Sequence, residues 1–529
     1  MPGEDATQAR GTTNHRLMSP KAGVSVANSV LNAVLGTAAL VFIAKNMGPE
    51  VMGVLGFSMA AIGMLSFLSD FGVGSIHRMN IKQGEDLGRC VGAYAVIKLA
   101  LLAVFSVITL VTIEIWRRGY MGGAIYADPA VTDSLEIFLG YYVLLGISQI
   151  ATHTFDAQDA VAKSNAPAIL EIIVRVTFII FVASSALGTS SLGPVYLAFS
   201  YAAGMIAASV LAILLMTKVK ISRPDRALLS RYIRSLAPVL LVSVMIFFDL
   251  YLDKFVVGYF WGEFEVGLYF GVQKMAVFVG VFSLAIATLI LPSVTTYFSR
   301  RDIAASWDVV NQAERYVSLI AIPTAAFYLT FGPDILRVFL TREFATAVDT
   351  MDVLVISGTL VALVLPLRSA IAAVGSHATL FWVGLGGVAI QLVLMLILVP
   401  ESILGVDTFG MKAFGAGAAL FVTAVYYFFV LRYMAWRAAG IVPNSRSFWH
   451  VICALSMIGV MYTIQYLFIP TIDGLALILL AVIGILTYGG VAYAVGELEP
   501  SDYRHFRSLL NPHDTVQYAV NELLGKRAH

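Results

Sequence analysis

An apolar run of about twenty residues, a short polar break and another such run recur about fourteen times along this chain. Twenty apolar residues in a helix are what the hydrocarbon core of a bilayer demands, and no water-soluble architecture repeats them in this way. Composition agrees: 59% hydrophobic against 13% charged residues, with a mean hydropathy of +0.84, leaves too few polar side chains to cover a globular surface of 529 residues. The segments between runs are too short for a soluble domain. The chain therefore reads as an all-α polytopic membrane protein with about 14 transmembrane helices, and its activity is expected within the bilayer.

Charge sets the expected orientation. Residues 1–22 are polar and lack the apolar core of a signal peptide, so the first span, from Gly23, is expected to stay uncleaved behind a cytoplasmic amino terminus. On that assignment 23 of the 34 Lys and Arg residues fall in cytoplasmic segments and 6 on the opposite side, the bias that fixes topology in membrane insertion. Six of the 23 lie in the segment 217–235: Lys218, Lys220, Arg223, Arg226, Arg231 and Arg234. The expected location is a cell membrane, multi-pass, with both termini cytoplasmic. The tail, 497–529, has loosely helical apolar spacing and is expected either on the membrane surface or packed against the bundle.

The chain also repeats itself faintly. Gly48-Pro49-Glu50-Val51-Met52-Gly53 joins the first two spans and Gly262-Glu263-Phe264-Glu265-Val266-Gly267 the seventh and eighth, so both glycines recur at an offset of 214 residues (48 to 262, 53 to 267). A Glu-Val pair is displaced by one residue. Falling at equivalent places in the span count, this supports two six-helix lobes, 23–216 and 236–431, related by a pseudo-two-fold and joined by the basic loop 217–235, with two further helices in 432–496. Parallel repeats about an axis along the membrane normal are a transporter architecture whose substrate path lies between the lobes.

Four stretches resemble the polysaccharide and oligosaccharide flippases of the multidrug/oligosaccharidyl-lipid/polysaccharide exporter superfamily. They are Asn46 to Gly53 with Leu68-Ser69-Asp70-Phe71-Gly72; Asp253-Lys254 with Glu265 to Tyr269 and Leu291-Pro292; Pro323 with Phe339 to Ala347; and Leu398-Val399-Pro400 with Gly415 to Ala419. The likeness is spread through the twelfth span. Two departures touch the subfamily: the loop after the ninth span lacks the usual glycine before its acidic residue, and the turn at Gly375-Ser376-His377 carries no basic residue. The resemblance implies a transporter that flips lipid-linked oligosaccharide or polysaccharide precursors by alternating access, with membrane lipids around it and glycan-assembly enzymes as partners.

Charges inside a span are costly and mark candidate sites. Lys98, Arg175 and Arg368 fall in the cytoplasmic half of their spans, and Asp249, Asp253, Lys254 and Lys274 in the outer half. Cations drawn from both lobes suit a lipid-linked sugar pyrophosphate, whose anionic head must exchange its hydration for charge-assisted hydrogen bonds. Each has a structural alternative: Glu171 and Arg175 are spaced i,i+4 for an intrahelical pair, Arg368 is near enough to a span end to snorkel, and Asp253 and Lys254 can pair. Asp249 and Asp253, also i,i+4, repel unless one is protonated, paired or bound to a cation, which makes them candidates for a proton or Na⁺ coupling site. Nearby rings (Phe247, Phe248, Tyr251, Tyr259, Phe260, Trp261, Tyr269) could stack on sugars or serve as an interfacial belt.

Other chemistry leaves no trace. There is no P-loop, no His-Glu-x-x-His or Cys-x-x-Cys, and no basic stripe for nucleic acid, so catalytic residues, metal and cofactor are all expected to be absent. Cys90 and Cys453 read as buried thiols. The alternative function is a cation-coupled multidrug exporter of the same superfamily. Such an exporter favours an acidic pocket, whereas the intramembrane bases are five and the first span offers only Asn28 and Asn32. A flippase for the peptidoglycan precursor would need arginines in the early spans, which are lacking, and loops this short leave no room for a glycosyl-transfer domain.

Overall fold

A computed structural model describes residues 20–120, 122–123, 128–280, 303–373, 377–439, 446–498 and 512–523. Among them are eleven helices long and apolar enough to cross a membrane, or twelve when one bent pair counts as a span. In chain order the helices are α1 (Pro20–Leu65), α2 (Val73–Lys82), α3 (Leu87–Arg117), α4 (Pro129–Ala157), α5 (Val161–Ser184), α6 (Gly193–Met216), α7 (Arg226–Trp261), α8 (Glu263–Ala276), α9 (Ile303–Phe339), α10 (Val348–Ala373), α11 (His377–Leu398), α12 (Lys412–Ala439), α13 (Arg446–Phe468), α14 (Gly474–Ala494) and α15 (Pro512–Leu523). Helix α1 holds the first two expected spans, broken at Gly48. Leu291-Pro292, Arg300, Arg301, Gly375 and Ser376 lie outside the described residues.

Aspartates open several helices. Asp86, Asp128, Asp225 and Asp473 each accept a hydrogen bond from a backbone N–H in the first turn of α3, α4, α7 and α14, satisfying donors that a membrane would otherwise leave unpaired. Ser402–Ile403 and Val406–Asp407 form a small antiparallel hairpin, register 402 to 407 and 403 to 406, turned through Leu404 and Gly405 at φ 50° and 82°.

The faint repeat is a physical contact. Gly48 (φ 82°, ψ 179°) and Gly262 (φ 84°, ψ −171°) share a conformation open only to glycine. Each ends one span and starts the next on the face distal to the basic segment 217–235. Five residues on, Gly53 lies so close to Glu263 that a Cβ would overlap that residue's carbonyl oxygen, and Gly267 lies equally close to the carbonyl of Pro49. Since 49 and 53 map onto 263 and 267 at the same offset, the two approaches are one contact seen from both sides of a two-fold. Around it a single apolar core runs from Met52, Leu55 and Phe57 of α1 into Val257, Val266, Tyr269 and Phe270 of α7 and α8, with Phe57 stacked on Phe255 at 5.7 Å. At this contact the two lobes meet on the distal face.

The seventh span begins earlier than its hydropathy indicates. Helix α7 extends back to Arg226 and bends by 51° between Leu236 and Val239, at Pro238, which has no N–H to give the helix. The part before the bend belongs to the first lobe. Ser222 donates its N–H to the Gly88 carbonyl (3.0 Å), Arg231 pairs with Glu85, and Leu228 and Tyr232 pack among Val73, Ile76, Cys90 and Tyr94. His77 is hydrogen-bonded through Nδ1 to the Tyr232 hydroxyl at 3.1 Å and through Nε2 to the Thr154 hydroxyl at 3.0 Å. Burial, helped by His153 and Arg78, pulls this histidine down to about 3, so the ring is neutral and offers one donor and one acceptor. The added pair α13 and α14 packs on α9 through Cys453, Met457, Met461, Leu477 and Leu480. Both cysteines are free and buried, as expected.

Candidate functional site

The five intramembrane cations separate into distinct environments. Lys98 is fully buried in the first lobe, its ammonium donating to Asp70 Oδ1 and Gln149 Oε1, both at 2.8 Å. Asp70 is turned inward because the chain breaks just beyond it, with Phe71 at φ 44° and Gly72 at φ 72°. Lys98 thus stands apart from the other four, held as a structural ion pair. Lys98→Met will strand the Asp70 carboxylate in a buried setting, a loss of about 3 kcal/mol or more; the expected result is low abundance with normal transport per molecule, and Asp70→Asn in the same chain should recover much of the yield. Loss of transport at full abundance would instead assign Lys98 to the substrate path.

Arg175 lies at the inner surface of α5. Its Nε is 2.8 Å from Glu171 Oε1, the i,i+4 pair read in the sequence, and its guanidinium sits over the Tyr201 ring at 4.6 Å. Gly204 of α6 makes the approach possible, since a Cβ there would reach the Glu171 carbonyl oxygen at 2.8 Å. From Arg175 an arc of rings crosses between the lobes: Tyr201 to Tyr141 (6.2 Å), Tyr141 to Tyr142 (5.2 Å), then the Tyr142 hydroxyl to the Tyr251 hydroxyl of α7 at 3.1 Å. Gly63 leaves the space for that last meeting, as a Cβ would come within 2.6 Å of both tyrosines.

On the second lobe, Lys254 and Asp253 are consumed by structure. Lys254 Nζ donates to Asp253 Oδ1 (2.7 Å) and Gln273 Oε1 (2.8 Å), while Asp253 Oδ2 accepts from the Tyr269 hydroxyl (2.9 Å) and from Gln273 Nε2 (2.5 Å). Both oxygens of Asp253 are satisfied, so of the alternatives open to this carboxylate the structure shows pairing with Lys254. Lys274, one turn beyond Phe270, lies 5.3 Å over that ring and makes no ion pair or hydrogen bond among the described residues. It lies within electrostatic reach of Lys254 and, across the lobe interface, of Arg175. Asp249 and Arg368 are both exposed, on α7 and α10, with no direct partner among the described residues, and they lie in each other's field with Tyr427 beside them.

Arg175 and Lys274, on opposite lobes, thus lie within electrostatic range of each other, with Lys254 in range of Lys274 too, while Asp249 and Arg368 are in each other's field in the second lobe. Such an arrangement can hold a multiply charged anion between two lobes and present flat rings to whatever it carries. Tyr141, Tyr142 and Tyr201 escaped the sequence reading; tyrosines at mid-span, far from any interfacial belt, were the available signal. Of the rings that reading did favour, Tyr269 is committed to Asp253 and Trp261 to the distal face, where its Nε1 donates to the Val399 carbonyl (2.8 Å) and Lys412 covers it at 4.6 Å. No group of three or more metal-ligating side chains occurs among the described residues.

A family model described as polysaccharide biosynthesis protein matches residues 20–298. A probable low-salt glycan biosynthesis flippase, Agl15 of Haloferax volcanii, is 24% identical over 323 residues, 60% of this chain and 64% of that protein; the chain thus spans just under two thirds of its curated relative. Among solved structures the fold is similar to the lipid II flippase MurJ in an inward closed conformation (TM-score 0.69, 13% identity, 89% of this chain and 98% of that one). It is also similar to an inward-facing multidrug resistance transporter of the MATE family and MOP superfamily (TM-score 0.63, 15% identity, 80% and 99%). At such identities the likeness is one of fold, the two-lobe helical architecture.

Proposed function

The chain belongs to the polysaccharide biosynthesis protein family, and from that premise we propose that it flips a lipid-linked oligosaccharide or polysaccharide precursor from the cytoplasmic to the outer leaflet, by alternating access between its two lobes. The observation that supports the reading is the tyrosine arc that runs from Arg175 of the first lobe to Tyr251 of the second, with Lys274 of the second lobe carrying no ion pair or hydrogen bond among the described residues. Two cations in each other's field repel until an anion comes near both, so such a site would gain most from a ligand with a di-anionic head. A pyrophosphate on a lipid carrier has that chemistry, and the tyrosine arc beside it suits a sugar. The relative's name points to the same class of cargo.

The competing multidrug exporter shares the fold but needs the opposite sign. Asp249 has no direct partner among the described residues, and Arg368 already lies in its field, which favours the anionic cargo. Asp249 is also where a coupling proton or Na⁺ would act, with Asp253 fully paired. Purified protein in liposomes decides among these: flipping of a lipid-linked oligosaccharide, read with and without an imposed pH or Na⁺ gradient, against efflux of a cationic dye. Dye efflux without lipid flipping would establish the exporter.

The basic face is the cytoplasmic one on this reading, and glycan-assembly enzymes working there would supply the substrate. A single cysteine placed at Ser230, in the basic segment docked on the first lobe, is expected to resist an impermeant reagent added to intact cells and to react after lysis. Efficient labelling from outside would invert the orientation, and with it the direction of flipping.

A further inference from the structure

The loop between α11 and α12 is built so that its base needs no water. Five consecutive carbonyls at and just past the end of α11, Ile397 to Glu401, each accept an N–H from the returning segment 408–412. The donors, in that order, are Phe409 (3.2 Å), Met411 (2.8 Å), Lys412 (3.3 Å), Gly410 (2.6 Å) and Thr408 (2.7 Å). The Thr408 hydroxyl adds a second bond to Pro400 (2.6 Å). Carbonyls at a helix end are ordinarily left to solvent. The 402–407 hairpin stands on this base, which is held to the distal ends of α7 and α8: the Val399 carbonyl also takes the Trp261 indole N–H, and Lys412 pairs with Glu265 at 3.1 Å.

The side chains of the hairpin do not suit a loop that faces water. Ile403 and Val406 pair directly across it and so share one face, while Ser402 and Asp407 share the other. The turn between the strands puts Leu404 at φ 50° and Gly405 at φ 82°, the two positive angles for which Asn-Gly is the ordinary filling. Leucine is poorly suited to that conformation. Leu404 is nevertheless 100% exposed, the most of any large hydrophobic among the described residues, with Val406 at 64% and Phe409 at 65%. Full exposure leaves Leu404 no packing among the described residues that would offset the strain of its backbone.

The apolar side of the hairpin continues a surface turned to lipid. Trp382, Leu385, Ala389, Val393 and Ile397 form one exposed face of α11 at helical spacing, with no charged or amide side chain among them. On a membrane span such a face belongs against hydrocarbon. Phe409 is fastened to the carbonyl of Ile397, the last residue of that face. We propose that the 402–407 hairpin is a membrane anchor of the second lobe. Its apolar face, the Leu404 tip and Phe409 lie at the boundary between headgroups and acyl chains of the distal leaflet, and Ser402 and Asp407 face the water. A loop whose base is so fully paired enters that zone without stranding backbone polar groups, and its apolar side chains gain by leaving water. The inference rests on the membrane-spanning fold and is independent of the cargo.

Quenching from the two sides of the water–lipid boundary tests the anchor. Full-length protein with Cys90 and Cys453 replaced by alanine, carrying either Leu404→Cys or Ser402→Cys, is labelled with an environment-sensitive fluorophore and reconstituted into phosphatidylcholine liposomes. Both positions are exposed, so neither substitution removes a packed side chain. The label at 404 should emit at shorter wavelength than the label at 402. It should also be quenched several-fold more strongly by a lipid brominated near the top of its acyl chain than by iodide present on both sides of the membrane, with the order reversed at 402. Equal iodide quenching at the two positions, with no effect of the brominated lipid at 404, would overturn the anchor. So would shielding of 404 that occurs in native membranes but not in liposomes of pure lipid, because the hairpin would then be covered by another protein.

Discussion

Alanine at Gly53 or Gly267 will hold the distal face open. Each added methyl would overlap a backbone carbonyl oxygen of the opposite lobe, Glu263 in one case and Pro49 in the other. A side chain could swing aside, but a carbonyl in the first turn of a helix moves only with its helix, so relief requires the lobes to part. Overpacking of this kind costs about 1–3 kcal/mol even where neighbours can adjust, enough to shift a balanced two-state equilibrium by about tenfold to a hundredfold toward the open form. Distances between spin labels on the two distal loops should lengthen, and flipping should stall for want of a closed state. The two variants should behave alike, because a two-fold makes their clashes equivalent. Unchanged distances in both would mean that the loops are not the seal.

Neutralising the facing cations should have the second large effect. Arg175→Gln and Lys274→Gln are each expected to weaken transport of an anionic lipid-linked sugar by about tenfold to a hundredfold, the value of one lost charge-assisted contact. Lys274→Arg should be far milder, since it keeps the charge that matters. Arg175→Lys should be the more damaging of the two conservative changes: its guanidinium pairs with Glu171 and lies flat on Tyr201, a double engagement that an ammonium cannot reproduce. Transport by all four variants at wild-type rates, with wild-type amounts in the membrane, would remove these residues from the substrate path.

The membrane class and the succession of spans could be read from hydropathy because each span must bury its backbone polar groups for itself, which makes every span a local signal; the two lobes were read from the glycine repeat at equivalent places in that succession. The glycine repeat was visible as a spacing, but its meaning was not: that Gly53 meets Glu263 depends on how two distant loops close on each other. The start of α7 was hidden for the opposite reason. Arg226 to Leu236 is too polar to look like a span, and it is helical because Asp225 caps it and the first lobe covers Leu228 and Tyr232.

Among the site residues, sequence singles out charges within apolar runs but not which of them are already paired. Lys98 and Lys254 carry the same charge at the same kind of depth as Lys274. Only their neighbours, Asp70 and Gln149 for one, Asp253 and Gln273 for the other, distinguish a strut from a ligand. Those neighbours come mostly from other helices, up to tens of residues away, and no spacing rule reaches that far.

The bend in α7 changes what counts as half of this protein. The basic segment looks like the natural place to divide the chain, yet the residues through Leu236 are built into the first lobe by Tyr232, Arg231 and Ser222. A ribosome releasing the chain into the membrane has finished the first six spans at Met216 but has not yet finished the first lobe. His77 still lacks one of its two partners, and the floor of the bundle stays open, until the beginning of the seventh span has emerged. The second lobe is thus started by a helix whose opening turns are already committed to the first, so the two halves are registered to each other before the second has folded.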